Sequence, residues 1–164
     1  MNGVIEGSAI EAWMPHRGEM RLIDRLLVVD EVHAVAEVDV PLDGLFVRDG
    51  QVAAWVGIEY MAQTVAAWAG ARARRYGGRP RVGFLLGSRR YSACCAAFAG
   101  GSTLRVEARC ELIGDNGLGQ FDCCISTQEG EVLATAMVSV FEPPLPETDN
   151  ETSHNESQAK ETNP

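Results

Sequence analysis

The chain has 164 residues, 23 acidic against 14 basic, a formal net charge of −9 and 46% hydrophobic residues. That length builds one domain with a real core, and the acidic balance speaks against a general nucleic-acid binder. The charge is uneven, because seven arginines and no acid lie between Arg72 and Arg90, whereas five acids against Lys160 lie beyond Pro143. A concentrated basic segment suits docking of a discrete acidic partner or a phosphate group; the bland alternative is that these arginines only solubilise a helix end and a strand. No charged-then-apolar leader opens the sequence, so a cytoplasmic location is expected. The five cysteines (Cys94, Cys95, Cys110, Cys123, Cys124) are odd in number and include two adjacent pairs, which argues against a disulfide framework and for small core residues. Metal-ligand spacing is absent, and neither metal nor cofactor is expected.

In chain order, Ser8–Trp13 reads as a short helix, followed by a loop carrying Met14-Pro15-His16-Arg17-Gly18. Arg21–Asp30 reads as a strand, and His33–Val40 alternates with period two. Next comes Val52–Ala71, in which only Glu59, Gln63 and Thr64 are plainly polar. Asp49-Gly50 supplies a start signal and Gly77-Gly78 a stop. A membrane span is rejected, because the run is built from Ala and Gly and a carboxylate at mid-helix is costly in lipid. It is expected to be a helix wrapped on nearly all sides by protein, with Trp55, Glu59 and Gln63 close to one face. Glu59 is then a buried acid, a carboxylate reaching a crevice, or a structural Glu satisfied by neighbouring backbone.

Arg81–Ser92 begins as a buried strand and becomes basic. Thr103–Leu112 alternates, with Leu104, Val106, Ala108, Cys110 and Leu112 on one face. Strands over Gly119–Thr127 and Val132–Phe141 follow turn signals at Asp115-Asn116-Gly117 and Glu129-Gly130. Residues 1–142 are expected to form the domain and 143–164 a disordered acidic tail. One helix apolar all round needs a curved antiparallel sheet about it, an α+β layout.

Several segments together resemble the hotdog-fold 3-hydroxyacyl-acyl-carrier-protein dehydratases. MPHRGEMRLIDRLLVVDE resembles that family's opening loop and strand, GIEYMAQTVAA its E-x-MAQ-like helix, and GFLLGSRRYSA its FLAG…ARF strand. The likeness extends over roughly residues 12 to 142, and the pairing of PHR with E-x-MAQ at this separation is its most specific part. It implies a six-stranded hotdog, a homodimer or heterodimer with another hotdog dehydratase, and substrates tethered by phosphopantetheine to an acidic acyl carrier protein. The family's catalytic His lies fourteen residues before the Glu, and that position is Leu45. The dehydratase-like proteins of aryl polyene gene clusters resemble the chain more closely, sharing PHR, a DG before the helix, and WVGIE-x-MAQ.

Elimination from a 3-hydroxyacyl thioester needs an acid that stays neutral near pH 7, which desolvation on an apolar helix provides, and a base for the C2 proton. Glu59 is assigned as the acid. His16, the one histidine within a motif, is the candidate base, against the reading that PHR is structural; His33 and His154 are set aside. Ala54, Trp55, Gln63 and Phe84 are expected to contact substrate, with backbone N–H groups around Ala53–Val56 facing the thioester oxygen. Arg74, Arg75, Arg89 and Arg90 are expected to dock the carrier. Two further readings stay open: a non-catalytic hotdog subunit of a heterodimeric dehydratase, and a hotdog thioesterase or acyl-binding protein.

Overall fold

A computed structural model describes residues 3–143. The expected acidic tail therefore lies, apart from Pro143, outside the described residues. In order, the elements are β1 (Ile5–Glu6), 3-10 turns over Gly7–Ala12 and Gly18–Met20, β2 (Arg25–Val29), β3 (His33–Asp39), β4 (Val47–Arg48) and β5 (Gln51–Ala53). A 3-10 turn over Ala54–Val56 leads into α1 (Gly57–Arg75), and β6 (Phe84–Ala93), β7 (Ala97–Ala99), β8 (Thr103–Ile113), β9 (Leu118–Thr127) and β10 (Val132–Phe141) complete the fold.

Seven strands form one antiparallel sheet in the order β1-β2-β3-β8-β9-β10-β6, and β4-β5-β7 form a second, three-stranded one. The large sheet wraps α1, giving the hotdog layout expected from the sequence. Period-two patterning explains how it does so: Ala34, Ala36 and Val38 of β3, Leu104, Val106 and Ala108 of β8, and Phe121, Cys123 and Ile125 of β9 are all buried. Facing them, α1 buries Tyr60, Met61, Val65, Ala67 and Trp68, with the Trp68 and Phe121 rings meeting edge to face at 5.2 Å.

Small residues set the closest approach. A Cβ added to Gly70 would stand 1.8 Å from the carbonyl oxygen of Trp13, so only glycine lets the N-terminal segment cross α1 here. The same crossing places the Arg74 guanidinium 5.1 Å from the Trp13 ring centroid.

Four expectations need revision. The helix starts at Gly57 and runs to Arg75, not from Val52, because Gln51–Ala53 pairs with Ala97–Ala99 as β5 and β7. β6 is an edge strand, with Phe84, Leu85 and Leu86 exposed rather than buried. In β8 the alternation fails after Cys110, since a bulge between Cys110 and Leu112 shifts the register and leaves Leu112 exposed. Of the cysteines only Cys123 is in the core; its neighbour Cys124 points to the other face of β9, as pleating requires, and Cys94 is exposed. No helix among the described residues is long and apolar enough to cross a membrane.

Candidate active site

Two segments far apart in sequence meet at the first turn of α1. The loop after Trp13 is fixed from both sides: Met14 is fully buried in the core, and Arg17 Nη1 donates to the carbonyls of Met14 (2.5 Å) and His16 (2.8 Å). Farther on, Gln63 of α1 holds the chain. Its Oε1 accepts from the Leu22 N–H at 2.8 Å, and its Nε2 donates to the Met20 carbonyl at 2.8 Å.

The second proton on Gln63 Nε2 goes to Glu59 Oε1 at 2.9 Å. Four residues apart on a helix, the two side chains lie on one face, so the backbone geometry itself makes this pair. His16 Nε2 lies 3.6 Å from the same Glu59 oxygen. Both members are half-buried, at 28% and 32% side-chain exposure, so each packs against protein and still reaches solvent. Burial holds the His16 pKa below its ordinary value; the Glu59 carboxylate pulls it back up, and Arg17 pushes it down again. His16 Nδ1 is buried without a hydrogen-bond partner among the described residues.

The residues singled out in the sequence are thus partly brought together. His16, Glu59 and Gln63 form one cluster. Gln63, expected to touch substrate, is fully buried and its amide is spent on Met20, Leu22 and Glu59. Ala54 is buried and its N–H already donates to the Ala96 carbonyl at 2.9 Å, so it is not free for a thioester oxygen. Trp55, by contrast, is 66% exposed at the helix start. Phe84 is exposed at the start of β6, and no contact between it and His16, Glu59 or Gln63 is seen among the described residues. Leu45 is exposed, and a hydrocarbon side chain there has no proton to exchange.

The arginines divide between two elements. Arg74 stacks on Trp13, and Arg75 Nη1 is 3.3 Å from Glu31 Oε1. Arg89 and Arg90 are exposed on β6, with no ion pair among the described residues. Tyr91 was missed in the sequence. Its hydroxyl donates to the carbonyl of Ala54, a contact that only the fold reveals.

A histidine against a glutamate at the start of a wrapped helix is an acid–base arrangement, and comparison with known proteins gives it a family. Residues 8–153 match the family described as ApeP-like, ApeP dehydratase. The chain belongs to the ApeP-like dehydratase family. It is accordingly placed among the hydro-lyases. The ApeI:P dehydratase heterocomplex from Xenorhabdus doucetiae is similar at 29% identity and a TM-score of 0.76, covering 83% of this chain and 91% of that one. A hypothetical thioesterase with coenzyme A from Streptococcus pneumoniae (16% identity, TM-score 0.56, 71% of this chain and 82% of that one) shares the fold. So does the PaaI protein of E. coli, at 16% identity and a TM-score of 0.55 over 75% of this chain and 78% of that one. No curated protein sequence gives a significant match.

Proposed function

We propose that the chain dehydrates a 3-hydroxyacyl thioester carried on an acyl carrier protein, giving the trans-2-enoyl thioester of aryl polyene synthesis. The single observation that carries this reading is the 3.6 Å approach of His16 Nε2 to Glu59 Oε1 within an ApeP-like chain. Elimination acts on adjacent carbons, so its base and its acid must stand side by side. His16 Nε2 takes the C2 proton, the C2–H electrons form the double bond, and the C3–O bond breaks. The departing hydroxyl takes the proton of the Glu59 carboxylic acid and leaves as water.

The surroundings fit these roles. Desolvation keeps the imidazole neutral at pH 7, the state a base needs. Gln63 donates to Glu59 Oε1, which leaves Oε2 outside that bond and able to face the departing hydroxyl. With the Ala54 N–H committed, the amides of Trp55 and Val56 at the helix start are the ones to face the thioester oxygen as it gains charge. Arg89 and Arg90 are open to an acidic carrier, while Arg74 and Arg75 reach it only by loosening their hold on Trp13 and Glu31.

Mass spectrometry of a carrier-bound 3-hydroxyacyl substrate tests the proposal. Loss of one water with the thioester intact is the expected product. Release of a free acid would instead identify a thioesterase. A second reading, a non-catalytic subunit whose hotdog partner supplies the chemistry, is favoured by Leu45 at the family's histidine position and by the similarity to a heterocomplex. Turnover by the isolated chain eliminates it. The open β6 edge is the surface on which such a partner strand would pair.

A further inference from the structure

β6 carries a local irregularity with a specific aim. Ser92 pairs with Thr135 and Arg89 with Met137, so Arg90 and Tyr91 together oppose the single residue Ala136. Arg90 sits at φ 57°, one of two non-glycine residues with positive φ among the described residues. A bulge containing a left-handed arginine costs backbone energy, and bulges of this kind re-aim a neighbouring side chain.

That side chain is Tyr91. Its hydroxyl donates to the Ala54 carbonyl, the first of the 3-10 turn that starts the helix. The same hydroxyl lies 2.6 Å from where a Cβ on Gly57 would stand, with Ile125 and Phe98 beside it, so glycine at the first position of α1 is what admits the contact. Tyr91 thus meets the turn on either side of Trp55 and Val56, at Ala54 and at Gly57, the latter two residues before Glu59. Burial raises its pKa, which keeps the phenol protonated and donating throughout the working range.

We infer that Tyr91 is a positioning residue, aimed by the Arg90 bulge, which fixes the first turn of α1 so that the Trp55 and Val56 amides and the Glu59 carboxyl hold their reactive geometry. The inference rests on the dehydratase reading for its kinetic consequence, but not for its structural one. It also gives Arg90 a second duty, since the residue proposed to meet the carrier is the one that bends the strand.

The test uses the chain in the assembly in which it purifies, and reads hydrogen exchange of the amides of residues 55–59 beside kcat and KM. Tyr91→Phe keeps the ring packing and removes only the hydroxyl. Exchange at those amides should quicken about five- to ten-fold, and kcat should fall about ten- to hundred-fold with KM changed far less. Thermal stability should be little affected. A wild-type kcat, or unchanged exchange at 55–59, overturns the inference. Should the wild type show no turnover, the proposed function has failed, and the exchange result alone decides the role of Tyr91. Arg90 is tested in the same way. Arg90→Gly, at home at this φ, should preserve protection of the turn, and Arg90→Val should lose it as Tyr91→Phe does. Equal protection in both variants would remove the bulge from the argument.

Discussion

At Glu59, replacement by glutamine keeps the shape and an oxygen for the Gln63 N–H, and takes away only the transferable proton. Dehydration should fall by about two orders of magnitude or more with the fold intact, and a wild-type rate measured without another active subunit sinks the assignment. His16 makes a prediction with a definite sign. Its folded pKa lies below 6.5, with burial the main cause, so a rate that needs neutral imidazole should rise with pH along an acid limb below 6.5. Stability carries the same signature. Between the folded pKa and 6.5 the unfolded chain binds more protons, so the contribution of this group is fully present above 6.5 and lost as pH falls towards the folded value. His16→Ala should abolish the acid limb together with the activity. Denaturant titrations of the two proteins between neutral and mildly acidic pH should converge as the pH drops; parallel curves would mean that His16 does not titrate in that window.

The elements show why some of this could be read in advance and some could not. β8, β9 and β10 advertise themselves by alternation, and α1 by its run of small and apolar residues, so the wrapped helix follows from pattern alone. Pairing Glu59 with His16 needed only the chemistry of elimination and two motifs, and the fold then sets them side by side. Strands of two or three residues, such as β4, β5 and β7, hold no period to detect, and Val52–Ala53 therefore reads as helix when it is sheet. Burial of β6 is equally hidden, because an apolar run does not say whether its sheet continues on both sides. Tyr91 was invisible for a third reason: a bulge, not the strand pattern, decides where it points. The crossing of the N-terminal segment over α1 gives this scale its own prediction. Gly70→Ala drives a Cβ into the Trp13 backbone and should cost about 1–3 kcal/mol or more, visible as a Tm several degrees lower. Because Trp13 leads into the His16 loop, the same variant should lose activity at temperatures where it is still folded; full activity there would separate the crossing from the site.

For the molecule as a whole, the basic stretch lies within an acidic protein, and under the proposed function that contrast would steer an acidic carrier protein towards it. Reversing the charge of Arg89 and Arg90 should weaken turnover of a carrier-bound substrate and spare a short pantetheine thioester. The wild-type KM for the carrier should rise with salt. Equal loss on both substrates would point instead to the bulge at Arg90 or to the pairing edge. That edge has a consequence of another kind. Phe84, Leu85 and Leu86 lie exposed on an edge strand that is paired on one side only, which is the template on which chains stack when nothing else covers it. A cell making this chain faster than whatever caps β6 should accumulate sediment rather than spare subunit. Gene dosage then becomes a structural variable: if a second hotdog subunit caps β6, as the second reading has it, the yield of dispersed protein in a titration of co-expression should track the supply of that subunit and level off at a fixed ratio. A chain produced alone at high level and still fully dispersed would mean that β6 needs no cover.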